Sequence, residues 1–299
     1  MRLTRKGSRS IAAMAYWISK LAQKILLLTT LAIVGALLCA TMVRFAPGYG
    51  VDERELDPRL SAASRNAIRN EYRMGGGLIS YYRGYLSGLL HGSLGTSAFL
   101  ERPVAGLLKE RAPFTVRAVF LGLTTAWIAA SVLSLLTIRW RTWVLEYSAT
   151  AVTGLLIALP TAVVALLCLY LRVPVFLGIA VITLPKLFRY QHNILAQAHA
   201  RPFVLAARAR GVGSNRILFW HVIPAAWQPL VALLGVSASM AFGAAIPLEA
   251  LSDAPGVGQL AWQAALNRDL PLLTGITLFV TLLTAAVNCL AGAIQEMQP

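Results

Sequence analysis

The 299-residue chain has little charge: Asp, Glu, Lys and Arg make up 13% of it, and only 12 of these residues are acidic. Set against 57% apolar residues, that scarcity excludes an ordinary soluble domain, in which about a quarter of residues are charged. Cysteine is also scarce. Cys39, Cys168 and Cys289 each fall inside an apolar run, so neither a disulfide framework nor a thiolate metal cluster is expected. The four histidines, His91, His192, His199 and His221, lie between the apolar runs and leave no intramembrane Ser–His pair for a protease. His192 and His199, seven apart, could share a helix face, but they lack a third ligand and a nearby acid in sequence, so no metal site and no catalytic residue is expected. No Gly-x-x-x-x-Gly-Lys-Ser/Thr loop occurs, so the chain does not bind ATP by that device. The interiors of the apolar runs are nearly free of charge, with Arg117, Arg172, Glu249 and Asp269 at their ends, which disfavours a proton- or sodium-coupled carrier.

What the chain does have is long apolar runs, which predict an all-α integral membrane protein with six transmembrane helices. Residues 25–43 contain no charge and cover ~29 Å as a helix, close to the ~30 Å hydrocarbon core of a bilayer. Residues 118–138 and 147–171 are the next two spans, the latter kinked at Pro160. Residues 173–185 are too short to cross alone and are read as a helix running on past Lys186 and Arg189, whose long side chains can snorkel. Residues 222–248 and 270–294 complete the set. Residues 25–43 exceed the usual core of a signal peptide, so cleavage there is not expected.

Orientation follows from the basic residues of the short loops. With the N-terminus inside, the cytoplasmic segments hold 14 Lys or Arg against Glu146 and Glu296. This makes residues 1–24 a cytoplasmic N-terminus, 44–117 an external loop and 186–222 a cytoplasmic loop, with both termini inside, all within a single transmembrane domain spanning 1–299. The formal charge of +15 is then mostly topological and directed at anionic membrane lipids, and no nucleic-acid partner is inferred. In the external loop, 52–58 is a polar entry, 61–72 has helical spacing, and Gly75, Gly76 and Gly77 break the pattern. Residues 78–90 form a second amphipathic helix, read as interfacial because Tyr81, Tyr82 and Tyr85 are of the type favoured at headgroup level.

Residues 201–224 are basic and broken by glycine. Pro202 suits a first helical turn, Gly211 a left-handed helix end, and Ser214 or Asn215 the cap of a second short helix. Ala206 and Ala207 are small enough for another protein to approach closely. Ile217, Leu218 and His221 form a narrow apolar face beside Arg210 and Arg216. By composition alone this is a juxtamembrane loop touching lipid headgroups.

The order of residues says more. Residues 203–211, then Ile217-Leu218 and His221-Val222-Ile223-Pro224, resemble the EAA loop of ABC importer permeases, and more narrowly the subfamily importing di- and oligopeptides or nickel. Leu205 stands where the motif's Glu would be, Ala206 where Thr is usual in the subfamily, and Arg210 where Lys is usual. Further likenesses are 44–48, 82–86, 92–97 and 102–104, then Pro255-Gly256-Val257-Gly258 and residues 266–271. Two features depart from the pattern: the connection between spans three and four is cut to Arg172-Val173-Pro174, and the basic cluster between spans two and three is reduced to Arg139 and Arg141.

The resemblance implies a permease subunit for short peptides, with a nickel chelate as the alternative cargo, in a bacterial cytoplasmic membrane. Its implied partners are a sister permease, two cytoplasmic ATPase subunits that use ATP and Mg, and an extracytoplasmic solute-binding protein; the chain itself binds no cofactor. It further implies that Ala206, Ala207, Gly211 and Ile217, with His221 beside them, seat a coupling helix, that Arg208 and Arg210 meet acidic or carbonyl groups on the ATPase, and that Pro224 ends the lever. Glu249, Pro255, Gly256 and Gly258 are expected to shape an external gate. The rival reading is a membrane scaffold or sensor that keeps the fold without transporting.

Overall fold

In the computed structural model, residues 26, 29–42, 45, 78–140 and 142–296 are described. The expected N-terminal segment 1–24, the helical pattern of 61–72 and most of the 44–48 likeness lie outside them. The described chain is helical, with one isolated antiparallel bridge between Thr96 and Pro103. In order the helices are α1 (Thr29–Met42), α2 (Leu78–Leu90), α3 (Val104–Trp140), α4 (Trp143–Ala158), α5 (Thr161–Tyr170), α6 (Val175–His199), α7 (Pro202–Ala209), α8 (Ser214–Ile217), α9 (Ile223–Leu251), α10 (Val257–Leu266) and α11 (Leu270–Glu296). A π-helical turn, Leu218–Val222, joins α8 to α9 without a break, so Ser214–Leu251 is one helix of 38 residues.

Among the described residues, three helices are long and apolar enough to cross a bilayer: Val104–Trp140, Ser214–Leu251 and Leu270–Ile294. The pair α4 and α5 would make a fourth, but its halves meet at 89°, so the kink expected at Pro160 is a near right-angle break and not a bend in a straight span. Pro160 has no N–H to carry the helical ladder across, and its extended backbone (φ −60, ψ 139) starts α5 afresh. The helix expected to run on past Lys186 and Arg189 does so, unbroken through Pro185 to His199. Residues 104–117, assigned from sequence to the external loop, are instead the first turns of α3, which continues through Pro113.

Contacts group the chain into two compact units: residues 1–107 with 264–282, and 108–263 with 283–299. In the first, the small side chains of Ala32 and Ala36 let α1 pack closely, with Leu278 and, partly buried, Leu89 completing the core. The tyrosines of α2 are not a headgroup belt. Tyr81 hydrogen-bonds Thr274 at 2.9 Å, Tyr82 donates to the Leu37 carbonyl at 3.0 Å, and Tyr85 is buried and stacked on Tyr81. Amphipathic spacing shows that α2 has an apolar face; it does not distinguish lipid from protein as the cover.

In the second unit, α3, α5, α6 and α9 pack around Val119, Ala165, Ile179, Ala245 and Leu248. A Cβ on Gly122 would lie 2.7 Å from the Phe176 carbonyl, so only glycine allows α3 and α6 to approach this closely. The outward faces carry Val152, Leu155, Leu166 and Tyr170, the last 84% exposed. A surface this apolar calls for acyl chains around it, which agrees with a multi-pass membrane protein.

Candidate functional site

The basic segment 201–224 folds as two short helices at one end of the second unit. Pro202 occupies the first turn of α7, where a missing N–H leaves no bond unmade. At the other end Gly211 takes φ +75, its N–H bonds the Arg208 carbonyl, and the Val212 N–H bonds the Ala207 carbonyl at 3.1 Å. These two bonds close a Schellman motif and satisfy carbonyls that the helix end would orphan. The cap of α8 differs from expectation: Gly213 is the N-cap, with no side-chain cap bond. Asn215 instead accepts a 2.6 Å hydrogen bond from Arg139, tying the loop to the end of α3.

Burial separates the expected coupling residues into two sets. Ala207 and Ile217 are at most 1% exposed and pack with Ile138, Leu195, Val204 and Val222, so they hold the loop onto its own subunit. Each of the larger side chains so covered, such as Ile217, stabilises the loop by about 1.5–3 kcal/mol where the alternative is water, and the Ala207 methyl by less. Ala206, Arg208, Arg210 and Gly211 are exposed, as is Leu205 at 72%, so the free surface of α7 is one apolar side chain flanked by cations. His221 is half-buried in the π turn. Pro224, expected to end the lever, lies exposed in the first turn of α9, inside the continuous helix. The π turn accounts for this: the Ile223 N–H bonds back to the Leu218 carbonyl, and the wider register makes room for a proline that an α-helical turn would resist.

A cavity of about 470 Å³ runs beside α7, lined by His192, His199, Arg201, Leu205 and Arg208 among others. The acid that seemed missing near the histidines is Glu146, whose carboxylate lies 3.9 Å from His192 Nε2, while Thr137 meets His192 Nδ1 at 3.1 Å. His199 pairs with Arg208 at 2.6 Å. Sequence distance hid the first of these, because Glu146 opens a different helix.

At the far end of α9 the expected gate residues do come together. Glu249 is fully buried, and its Oε2 accepts hydrogen bonds from Thr115 Oγ1 (2.9 Å) and the Gly258 N–H (2.8 Å). Thr115 in turn accepts from the Val257 N–H at 2.8 Å. The turn at Pro255 and Gly256 lies directly over the carboxyl group, where a Cβ on Gly256 would overlap it; a Cβ on Gly258 would lie 2.5 Å from the Ile246 carbonyl. Pro255 itself is exposed on the turn. Thr115 is the member that sequence reasoning missed. A single hydroxyl within an apolar helix carries no signal until its partners are known.

The chain resembles known proteins over most of its length. Residues 119–298 match the family described as binding-protein-dependent transport system inner membrane component. Nickel import system permease protein NikB of Staphylococcus aureus strains USA300 and NCTC 8325 / PS 47 is 26% identical over 273 residues, covering 85% of this chain and 82% of the relative. The same protein of the bovine strain RF122 / ET3-1 is 25% identical over 272 residues, with the same coverage. With the match covering more than half of its residues, this chain belongs to the binding-protein-dependent transport system inner membrane components, the permease subunits of ABC importers.

Proposed function

We propose that this subunit forms, with a sister permease, a translocation path for short peptides, and that α7 and α8 are the lever through which two cytoplasmic ATPases drive it. One observation carries the reading: the helix Ser214–Leu251 is continuous, with the basic loop at one end and the Glu249 knot at the other. At about 1.5 Å per residue such a helix reaches across a bilayer with length to spare. A displacement of α7 therefore has a rigid route to the opposite face. Leu205 and Ala206 offer the ATPase an apolar contact, and Arg208 and Arg210 meet acidic or carbonyl groups around it. In this arrangement both termini are cytoplasmic, the membrane is the bacterial cytoplasmic membrane, and a solute-binding protein delivers cargo from outside.

A nickel chelate is the second reading, supported by the names of the Staphylococcus aureus relatives. Reconstitution with the sister permease, ATPases and loaded binding protein tests both. The complete assembly is expected to hydrolyse ATP faster when the binding protein is loaded, and the lone subunit is expected to transport nothing. Competition by di- to pentapeptides supports the first cargo. Competition by a nickel chelate alone replaces it with the second, and transport by the lone subunit defeats the importer reading.

A further inference from the structure

The second unit contains another cavity, about 510 Å³, at the end of α6 opposite the basic loop. Phe114, Leu121, Leu169 and Phe176 form its apolar walls, and Arg117 and Arg172 also line it. No Asp or Glu lines the cavity, and among the described residues neither arginine has an acid within salt-bridge distance. Two exposed guanidiniums with no acidic neighbour among the described residues, set beside a greasy cleft, suit an anion that is itself attached to something apolar.

The backbone gives Arg172 a fixed position. Val173 N–H bonds the Cys168 carbonyl at 2.9 Å and Arg172 N–H the Leu169 carbonyl at 3.2 Å, the same Schellman closure that ends α7. The left-handed residue is glycine in that loop, Gly211, but here it is Arg172, at φ 52. An arginine gains nothing from this backbone conformation and is strained by it. What it contributes is the side chain, held at a connection only Arg172-Val173-Pro174 long.

Location selects among anions. Arg117 and Arg172 are both exposed and flank the charge-free stretches 118–138 and 147–171, where lipid headgroups would meet the chain. Next to Arg172 in the chain, Leu171 (61% exposed) and Tyr170 are exposed, apolar and aromatic neighbours of the kind found where acyl chains meet headgroups. We infer that this cleft is a binding site for an anionic phospholipid, with the phosphate on Arg117 and Arg172 and an acyl chain against Phe114, Leu121, Leu169 and Phe176. The site is independent of the cargo.

The test uses the full chain purified with its partner subunits, stripped of lipid and given mixed micelles of phosphatidylglycerol or phosphatidylcholine with identical chains. Native mass spectrometry and thermal melting are the readouts. Selective retention of phosphatidylglycerol, with a raised melting temperature, is expected for the parent protein. In the double variant Arg117→Gln, Arg172→Gly that selectivity should fall about tenfold or more, as loss of charge-assisted bonds implies. Arg172→Gly alone should melt no lower than the parent in lipid-free detergent, because glycine removes the left-handed strain, and this separates loss of the site from loss of the fold. Equal retention of both lipids, or undiminished selectivity in the double variant, overturns the proposal. So does reproduction of the full effect by inorganic phosphate or by a short peptide with a free carboxylate.

Discussion

Ser97 donates a 2.5 Å hydrogen bond to Asp269, joining two segments 172 residues apart in the chain. The same carboxylate accepts from the Phe99 N–H at 3.1 Å and, through its other oxygen, from the Leu272 N–H at 3.1 Å, so Asp269 both caps α11 and anchors the turn at residues 97–100. Asp269 is 2% exposed. Asp269→Ala leaves three donors without a partner, those of Ser97 and Leu272 on buried residues, and should cost about 1–3 kcal/mol or more. Ser97→Ala removes two bonds, the one to Asp269 and the one its hydroxyl accepts from the Leu100 N–H, but leaves the carboxylate its two backbone donors and should cost less, about 1 kcal/mol. Thermal melting in detergent checks the order; equal melting of both variants contradicts it.

Gly211 should be sensitive to backbone preference and not to size. No atom lies within 4 Å of the position a Cβ would take, so its φ of +75 is the whole constraint. Gly211→Asn should therefore keep near-parental uptake, because Asn visits the left-handed region readily. Gly211→Val should cost about 1–2 kcal/mol at the loop and lower uptake more than it lowers membrane insertion. Uptake assays alongside quantification of inserted protein separate the two; matching uptake in both variants refutes the argument.

The knot at Glu249 gives a prediction about charge. Both described donors to the carboxylate reach the same oxygen, Oε2, and Oε1 has no partner among the described residues. Glu249→Gln preserves an oxygen for both donors, so it should melt within about 1 kcal/mol of the parent and retain uptake. Thr115→Val keeps the shape but removes an acceptor for Val257 and a donor to Glu249, and should cost about 1–3 kcal/mol. If Glu249→Gln is the worse of the two, the carboxylate's charge and not its hydrogen bonding matters.

Some of this was legible in the sequence for identifiable reasons. Pro202 and Gly211 have strong local preferences, so the ends of α7 could be read directly, and the 78–90 spacing gave α2 the bounds the structure shows. Glu249 was paired with the Pro255–Gly258 turn through the resemblance, and their contact is geometric. What could not be read were partners distant in the chain. Ser97 with Asp269, Thr115 with Glu249 and Glu146 with His192 are brought together only by packing. Nor could the faces of α7 be sorted, because the Ala206-Ala207 pair looks equivalent until burial distinguishes them.

That distinction yields the sharpest test of the lever. Ala207 is completely buried against the loop's own core, whereas Ala206 is exposed beside Leu205. Ala207→Trp forces an indole into a packed interior, where overpacking typically costs about 1–3 kcal/mol and often more, so the loop should lose its structure and the protein its yield. Ala206→Trp places the same bulk on the free face. It should insert and melt like the parent, yet fail to support uptake or cargo-stimulated ATP hydrolysis, because the ATPase can no longer approach α7. Pull-down of the ATPase subunits, run with melting curves, discriminates the outcomes. An Ala206→Trp variant that binds the ATPases and transports normally would remove α7 from the interface, and a stable, inserted Ala207→Trp variant would show that the loop does not pack as described.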